Sequence, residues 1–424
     1  AAAHGSALAG GSLVGVLGAA VDAAHACVLE SRDVLPVLRE AGVVDAGAWA
    51  LVVLLEALRT SVESRGHGGP TTGVETASFD GPGPSSEHAG TVRREAAGLR
   101  PCPDARGEFE VMFLVEPADG GGPDLGTVLT ARMRTVGDSV AVVGGHGVWQ
   151  VHVHADDPAR AILAGALATQ RQITVRSVAL QLPDAPPAAT GRGSGGGLGV
   201  VVGTRARALV ADLARSGAVV HLLTDRAPSG GELVRAIVDT GCTDVVVLPG
   251  DPAALATALL VASRSPFSGQ GTRVHVLPAV DDVSVVVAMV AIVESVAEGP
   301  DARVRAVEVA LRGLRTIAVD RSPARASTST VPHAARPSDV DVPGEDAAEA
   351  VGAVMTALAD GAPRIVTLLT GEQADRGVVD ALVHAVRTGH PESEVVVLDA
   401  GVDRPSLAIG IQPLVAPETR DGAS

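Results

Sequence analysis

Apolar and polar positions change their period along this chain, and each change marks an element. Leu13, Val16, Leu17, Ala20, Val21 and Ala24 recur at helical spacing, which predicts a helix over Ser6–Ala26 with Gly11-Ser12 at its start. Asp33 opens a short second helix, Val34–Glu40. After the turn Ala41–Gly47 a third apolar helix runs from Trp49 to about Val62. Beyond residue 107 the period becomes two. Phe109, Val111, Phe113 and Val115 alternate with Glu110, Met112 and Leu114, which is a strand with one face toward a core. A helix over Asp124–Arg134 follows, then strands Ser139–Val143 and Val148–His154, with Gly144, Gly145 and Gly147 supplying the tight turn. Asp157-Pro158 starts a helix over Ala159–Ala168, and Ile173–Leu180 closes the series as a strand. The order β-α-β-β-α-β predicts a ferredoxin-like α+β domain.

From Leu198 onward, short apolar runs alternate with helical stretches. The strands are Leu198–Val202, Val219–Leu223, Asp244–Pro249 and Arg273–Leu277. The helices between and after them are Arg205–Ser216, Gly231–Thr240, Pro252–Ser263 and Val283–Ala297. Strands this apolar predict a mostly parallel sheet covered on both faces. A helix Ala347–Ala359, a strand Arg364–Leu369, a helix Asp375–Arg387 and strands Glu394–Leu398 and Ser406–Ile411 complete the pattern. The intervals without periodicity are rich in Gly, Pro, Ser and charge, and read as linkers. The organisation is therefore a helical segment 1–62, a linker 63–106, an α+β domain 107–184, a Gly-rich linker 185–197, and an α/β domain 198–416. A low-complexity insert 322–346 and a tail 417–424 complete it. The glycines of 185–197 precede their strand, whereas a dinucleotide loop follows its strand, so that reading is rejected.

Composition changes this picture in a few places. Aromatic residues are 1% of the 424 residues, so small aliphatic side chains must fill the cores. All 33 basic residues are Arg, and the net charge is −16, which argues against nucleic acid or an anionic membrane as a partner. Cys27, Cys102 and Cys242 are isolated, which fits a reducing cytoplasm. No apolar run reaches the ~20 residues of a transmembrane span, so no transmembrane segment is expected. The first residues are AAAHGS, without Met, and the chain is read as an N-terminally truncated piece.

Candidate chemistry sits on the strand Val148–His154. His152 and His154 share the face opposite Val151 and Val153, so two imidazoles can converge on one ion or one anion. Exposed His-x-His pairs are often only a polar face. The surrounding segment, VGDSVAVVGGHGVWQVHVHADDP, resembles LGDSxxVVGxxxxxxVHVHxxDP of the middle domain of the fatty acid kinase family, whose kinase module is dihydroxyacetone-kinase-like (DhaL). SRDVLPVLREAGVVDAGAWAL similarly resembles the RTPxxLPVLxxAGVVDAGGxGL that closes the DhaL domain, with Ala48 and Trp49 where a second Gly is usual. VVVLPGDPAALATALLVA and the ending PESEVVVLDAGVDRPSLAIGIQ resemble the family's C-terminal domain.

The resemblance implies an α/β multidomain chain: a helical remnant of a DhaL kinase domain, a ferredoxin-like middle domain and a mostly parallel C-terminal domain. It implies a kinase that phosphorylates a fatty acid carboxylate presented by a fatty-acid-binding protein, with ATP and magnesium as cofactors. The DGDTGxN and GARGNSG-like motifs that carry ATP and magnesium are absent from the chain, so it is expected to be inactive alone. Asp45 and Gly47 fall where the family has a turn near the nucleotide end, and a helix-connecting turn is the competing reading. The family's zinc is held by one Cys and two His. Here the Cys position is Glu110, so Glu110, His152 and His154 become the candidate metal ligands, with the two histidines as candidate catalytic residues. A carboxylate with two histidines is an accepted zinc set. The low-complexity insert stands where the family has a small β element, which is expected to be lost. A homodimer is a further candidate assembly. The alternatives are a non-catalytic partner-binding or regulatory module and, more weakly supported, a zinc-dependent hydrolase.

Overall fold

A computed structural model of the chain describes residues 12–34, 39, 44–65, 107–118, 124–145, 147–181, 197–264, 271–296, 298–320, 340–343, 347–403 and 405–414. Of the linkers and the insert only 63–65, 197 and 340–343 are among these residues, and the tail 417–424 lies outside them. The chain divides into two compact units, 1–93 and 94–424.

In the first unit, helices α1 (Leu13–Val34) and α2 (Ala46–Arg65) pack together through Val21, Val28 and Val52, which are buried. His25 Nε2 lies 2.8 Å from Glu56 Oε1 across the pair, and the same ring meets Trp49 edge-on at 5.8 Å. Helix α1 runs through Asp33, where the sequence predicts the opening of a second helix, and Arg39 is helical beyond it. No Gly or Pro interrupts residues 19–35, so the helix had no local reason to stop there. The rest of Val34–Glu40, Arg39 apart, lies outside the described residues. Helix α1 also corrects the expectation that no segment is long and apolar enough to span a membrane. Its stretch Leu13–Ser31 has a mean hydropathy of 1.6 and passes that test on length and composition. The buried core helix of a protein passes the same test.

The second unit begins with β1 (Phe109–Glu116), α3 (Leu125–Met133), β2 (Asp138–Gly145), β3 (Val148–Ala155), α4 (Pro158–Ala164) and β4 (Thr169–Ser177). The four strands are antiparallel in the order β2-β3-β1-β4. Phe109, Val111, Phe113 and Val115 are fully buried with Leu129 and Met133 of α3 and Ile162 of α4, as the alternation in β1 requires. Asp157 caps α4 by accepting from the Arg160 N–H at 3.0 Å. Strand β4 starts four residues before its expected position, because α4 already ends at Gly165 and the polar residues Thr169–Gln172 carry no apolar alternation. Gln172 has φ +53, and the register against β1 shifts there, so β4 carries a bulge. Gly144 and Gly145 lie inside β2, and Gly147 takes the positive φ of the turn.

The sheet continues past the Gly-rich linker. β4 pairs antiparallel with β6 (Val219–Leu222), and β5 (Leu198–Thr204), β7 (Asp244–Leu248) and β8 (Arg273–Val276) extend it in parallel. The order is β2-β3-β1-β4-β6-β5-β7-β8. Residues 107–184 and 198–277 thus share one eight-stranded sheet. Helices α5 (Val210–Arg215), α6 (Gly230–Asp239), α7 (Pro252–Arg264) and α8 (Asp282–Glu294) follow its parallel strands in turn.

Sequence periodicity did not reveal α9 (Pro300–Gly313) and β9 (Arg315–Asp320). Helix α9 has only Val304, Val307 and Leu311 as large apolar anchors among its buried residues, too sparse a stripe to read. The small β element expected to be lost is present: β10 (Val340–Pro343) pairs parallel with β9. With β11 (Arg364–Thr370), β12 (Glu394–Asp399) and β13 (Leu407–Pro413) these form a second sheet, β10-β9-β13-β11-β12. Helices α10 (Ala347–Ala357) and α11 (Arg376–Gly389) pack with it. Region 198–416 therefore carries part of one sheet and the whole of another. The second is mixed, with β13 antiparallel to both β9 and β11.

Candidate metal centre

The core-facing alternation of β1 sends Glu110 to the opposite face, and the alternation of β3 sends His152 and His154 there as well. Register sets which of them meet. Glu110 is directly across from His154, and Met112 from His152. On the other side of β1, Glu110 faces Arg176 of β4. One ligand atom from each of Glu110, His152 and His154 lies within 4.8 Å of the others, so the structure brings the three sequence-derived residues together. The imidazoles tilt against each other at 54°, with ring centroids 5.0 Å apart.

The electrostatics divide the Glu110 carboxylate between two neighbours. Oε1 lies 3.4 Å from His152 Nδ1, and Oε2 accepts from Arg176 Nε at 2.5 Å. The Arg176 guanidinium also stands 3.8 Å from Asp239 on α6, and Arg235 Nε donates to Asp239 at 3.1 Å. Glu110 is only 8% exposed, so its orientation is fixed by this chain of ion pairs. Burial holds the His152 pKa below its ordinary value. The Glu110 charge opposes that shift, and His154 and Arg176 add to it. His152 is thus neutral near pH 7, with a ring lone pair free for an ion.

These residues fit a zinc-type ion. The carboxylate oxygen turned away from Arg176 faces the His152 ring, His154 has a ligand atom within 4.8 Å of both residues' ligand atoms, and three protein ligands would leave one coordination position open. Arg176 orients the ligand carboxylate from behind, as outer partners of metal ligands do. Sequence reading missed Arg176 and Asp239. Arg176 falls within the expected strand Ile173–Leu180, but nothing in the sequence states that it lies across from Glu110.

Asp45 and Gly47 are in the first unit. Asp45 caps α2: its Oδ1 accepts from the Ala48 N–H at 2.6 Å, and its own N–H donates to Ser31 Oγ at 3.0 Å. Gly47 is the second residue of α2, and a Cβ there would approach Asp45 Oδ1 at 3.2 Å. Ala48 and Trp49 lie in the first turn of α2, where no positive φ is required. The geometry of Asp45 is that of a helix cap.

Comparison with known proteins places these domains. Residues 106–182 match the middle domain of the FakA-like family of fatty acid kinases, and residues 200–412 match the C-terminal domain of the same family. A search of curated proteins found no match. Solved structures that resemble the chain include the Streptococcus pneumoniae fatty acid kinase (Fak) B3 protein loaded with linoleic acid. It has 13% identity and TM-score 0.33, covering 45% of this chain and 80% of that one. The dihydroxyacetone kinase of C. freundii has 11% identity and TM-score 0.38, over 57% of this chain and 51% of that one. A DegV family protein from Eubacterium eligens loaded with heptadecanoic acid has 11% identity and TM-score 0.36, over 51% of this chain and 99% of that one.

Proposed function

The chain belongs to the FakA-like family of fatty acid kinases, and from that premise we propose that it is the partner-docking and metal-holding portion of a fatty-acid-kinase-like phosphotransferase. The observation that carries this reading is the convergence of Glu110, His152 and His154 within 4.8 Å in the matched middle domain, with Glu110 at the position where the sequence resemblance implies a Cys. The three residues would hold a zinc ion, which when bound supplies a Lewis acid for an anionic oxygen. The chain's own contribution is positional. Neutral His152 offers a lone pair, Glu110 compensates the charge of the ion, and the Arg176–Asp239 pair keeps Glu110 from rotating.

ATP and magnesium are assigned to a segment outside this sequence, since neither motif that binds them occurs in it. The partner in this reading is a fatty-acid-binding protein, which docks on the middle and C-terminal domains. Calorimetric titration with a linoleate-loaded binding protein of this family tests it. Saturable binding is expected, with no acyl phosphate formed by the two proteins, ATP and magnesium alone. Absence of binding contradicts the docking role, and acyl phosphate formation contradicts the assignment of phosphoryl transfer elsewhere.

A second reading has its own observation. Arg176 already satisfies one oxygen of Glu110 at 2.5 Å, so an ion-pair network without metal would hold the same geometry in a purely structural binding module. Metal content separates the two.

A further inference from the structure

The sheet face that carries the metal centre continues toward β6 and holds residues that the centre does not use. Met112 lies across from Thr174 on β4, and Thr174 lies across from His221 on β6. Residues of α6 and its capping Ser229 flank this row and bound an open pocket of about 320 Å3. That is the liquid volume of roughly ten waters.

His221 is 5% exposed and lines the cavity. Neither its ring nor the half-buried Thr174 hydroxyl makes a hydrogen bond to another described residue, so both can take a partner from the cavity. Burial also lowers the His221 pKa, against the opposing charges of Glu232 and Asp239, which leaves one donor and one acceptor nitrogen. At the mouth stand the amides of Gln150 and Gln172. Gln172 is held at φ +53 by the β4 bulge, a strained conformation for a residue other than glycine.

The charged residues around the cavity are engaged among themselves. The Glu232 carboxylate accepts from the Ser229 N–H at 3.0 Å, and Asp239 takes Arg235 at 3.1 Å and Arg176 at 3.8 Å. What remains for a ligand is an imidazole, a hydroxyl and two amides, all uncharged. We propose that this cavity binds a neutral polyol or sugar of roughly ten non-hydrogen atoms, hydrogen-bonded by His221 and Thr174 at depth and by Gln150 and Gln172 at the mouth. The proposal does not depend on an ion at Glu110, His152 and His154.

The test is a titration of the metal-free chain, followed by the ring resonances of His221, which the His221→Gln variant identifies. The probes are xylitol, of matching size, and xylonate, the same skeleton with a carboxylate. Expected are a saturable shift with xylitol, an affinity for xylonate weaker by about tenfold because Glu232 and Asp239 face it, and an affinity for xylitol weakened several-fold in Thr174→Val. A silent His221, equal binding of the two probes, or an unchanged affinity in a folded Thr174→Val variant overturns the proposal. Because the ion is absent throughout, its failure is separate from failure of the metal centre.

Discussion

Glu110 is the residue on which the metal reading turns, and its neighbours decide what it can do. The parity of β1 and β3 was legible in the sequence, because Phe109, Val111 and Phe113 had to point inward and so sent Glu110, His152 and His154 outward together. Arg176 was not legible, since cross-strand partners follow from register, and register depends on a bulge at Gln172 that no composition rule announces. If Arg176 orients Glu110 from behind, Arg176→Met lowers zinc affinity by about 10- to 100-fold, and Arg176→Lys recovers part of it, as competition against a chelator would show. An unchanged zinc affinity in Arg176→Met would assign Arg176 to the fold only.

His221 makes a pH prediction at the same scale. Its folded pKa is depressed by burial, so the unfolded chain takes up a proton near pH 6.5 before the folded chain does. Stability therefore falls as pH drops through about 6.5, and levels off only below the folded value. Thermal melts between neutral and mildly acid pH should show this loss, with a flatter profile in His221→Gln. Asp282 works the other way at lower pH, because burial raises its pKa and favours the protonated fold.

At the scale of elements, boundaries were readable where a cap or a breaker marks them and not elsewhere. Ser229 and Glu232 form a reciprocal cap on α6, and the expected start differs by one residue. Helix α1, with no Gly or Pro between Ala19 and Leu35, overran its expected end at Ala26. Asp45 was singled out as a nucleotide-end residue, and its geometry gives it a cap to make. Asp45→Ala should cost about 0.5–2 kcal/mol in a denaturant titration of the first unit, with Asp45→Asn near neutral. Gly250, between β7 and α7, has φ +78, and a Cβ there would lie 2.0 Å from the Gly203 carbonyl oxygen. Gly250→Ala should destabilise the second unit by about 1–3 kcal/mol, read from the denaturant midpoint. A wild-type midpoint would mean that the β5 and β7 ends separate freely.

For the whole molecule, alternating strands and helices indicated an α/β chain, and the family matches at 106–182 and 200–412 agree with the segments that carried the middle- and C-terminal-domain motifs, while the DhaL-like stretch 31–51 lies outside both. The sharing of one sheet across residues 182–197 was hidden, because strand pairing between distant segments leaves no local signal. It has a consequence for fragments. Residues 107–184 alone leave the β4 edge without β6 and expose Ile173 and Val175, so the fragment should aggregate and lack a cooperative melt. A soluble fragment with a single sharp transition would show that the sheet junction adds little.

The central claim is a metal centre on Glu110, His152 and His154, and metal content of the purified chain tests it most directly. Elemental analysis should find one zinc per chain, lost in both Glu110→Ala and His152→Ala while their far-ultraviolet spectra stay unchanged. A chain that takes up no zinc at a pH where His152 is neutral, or that keeps its zinc in either variant, contradicts the claim.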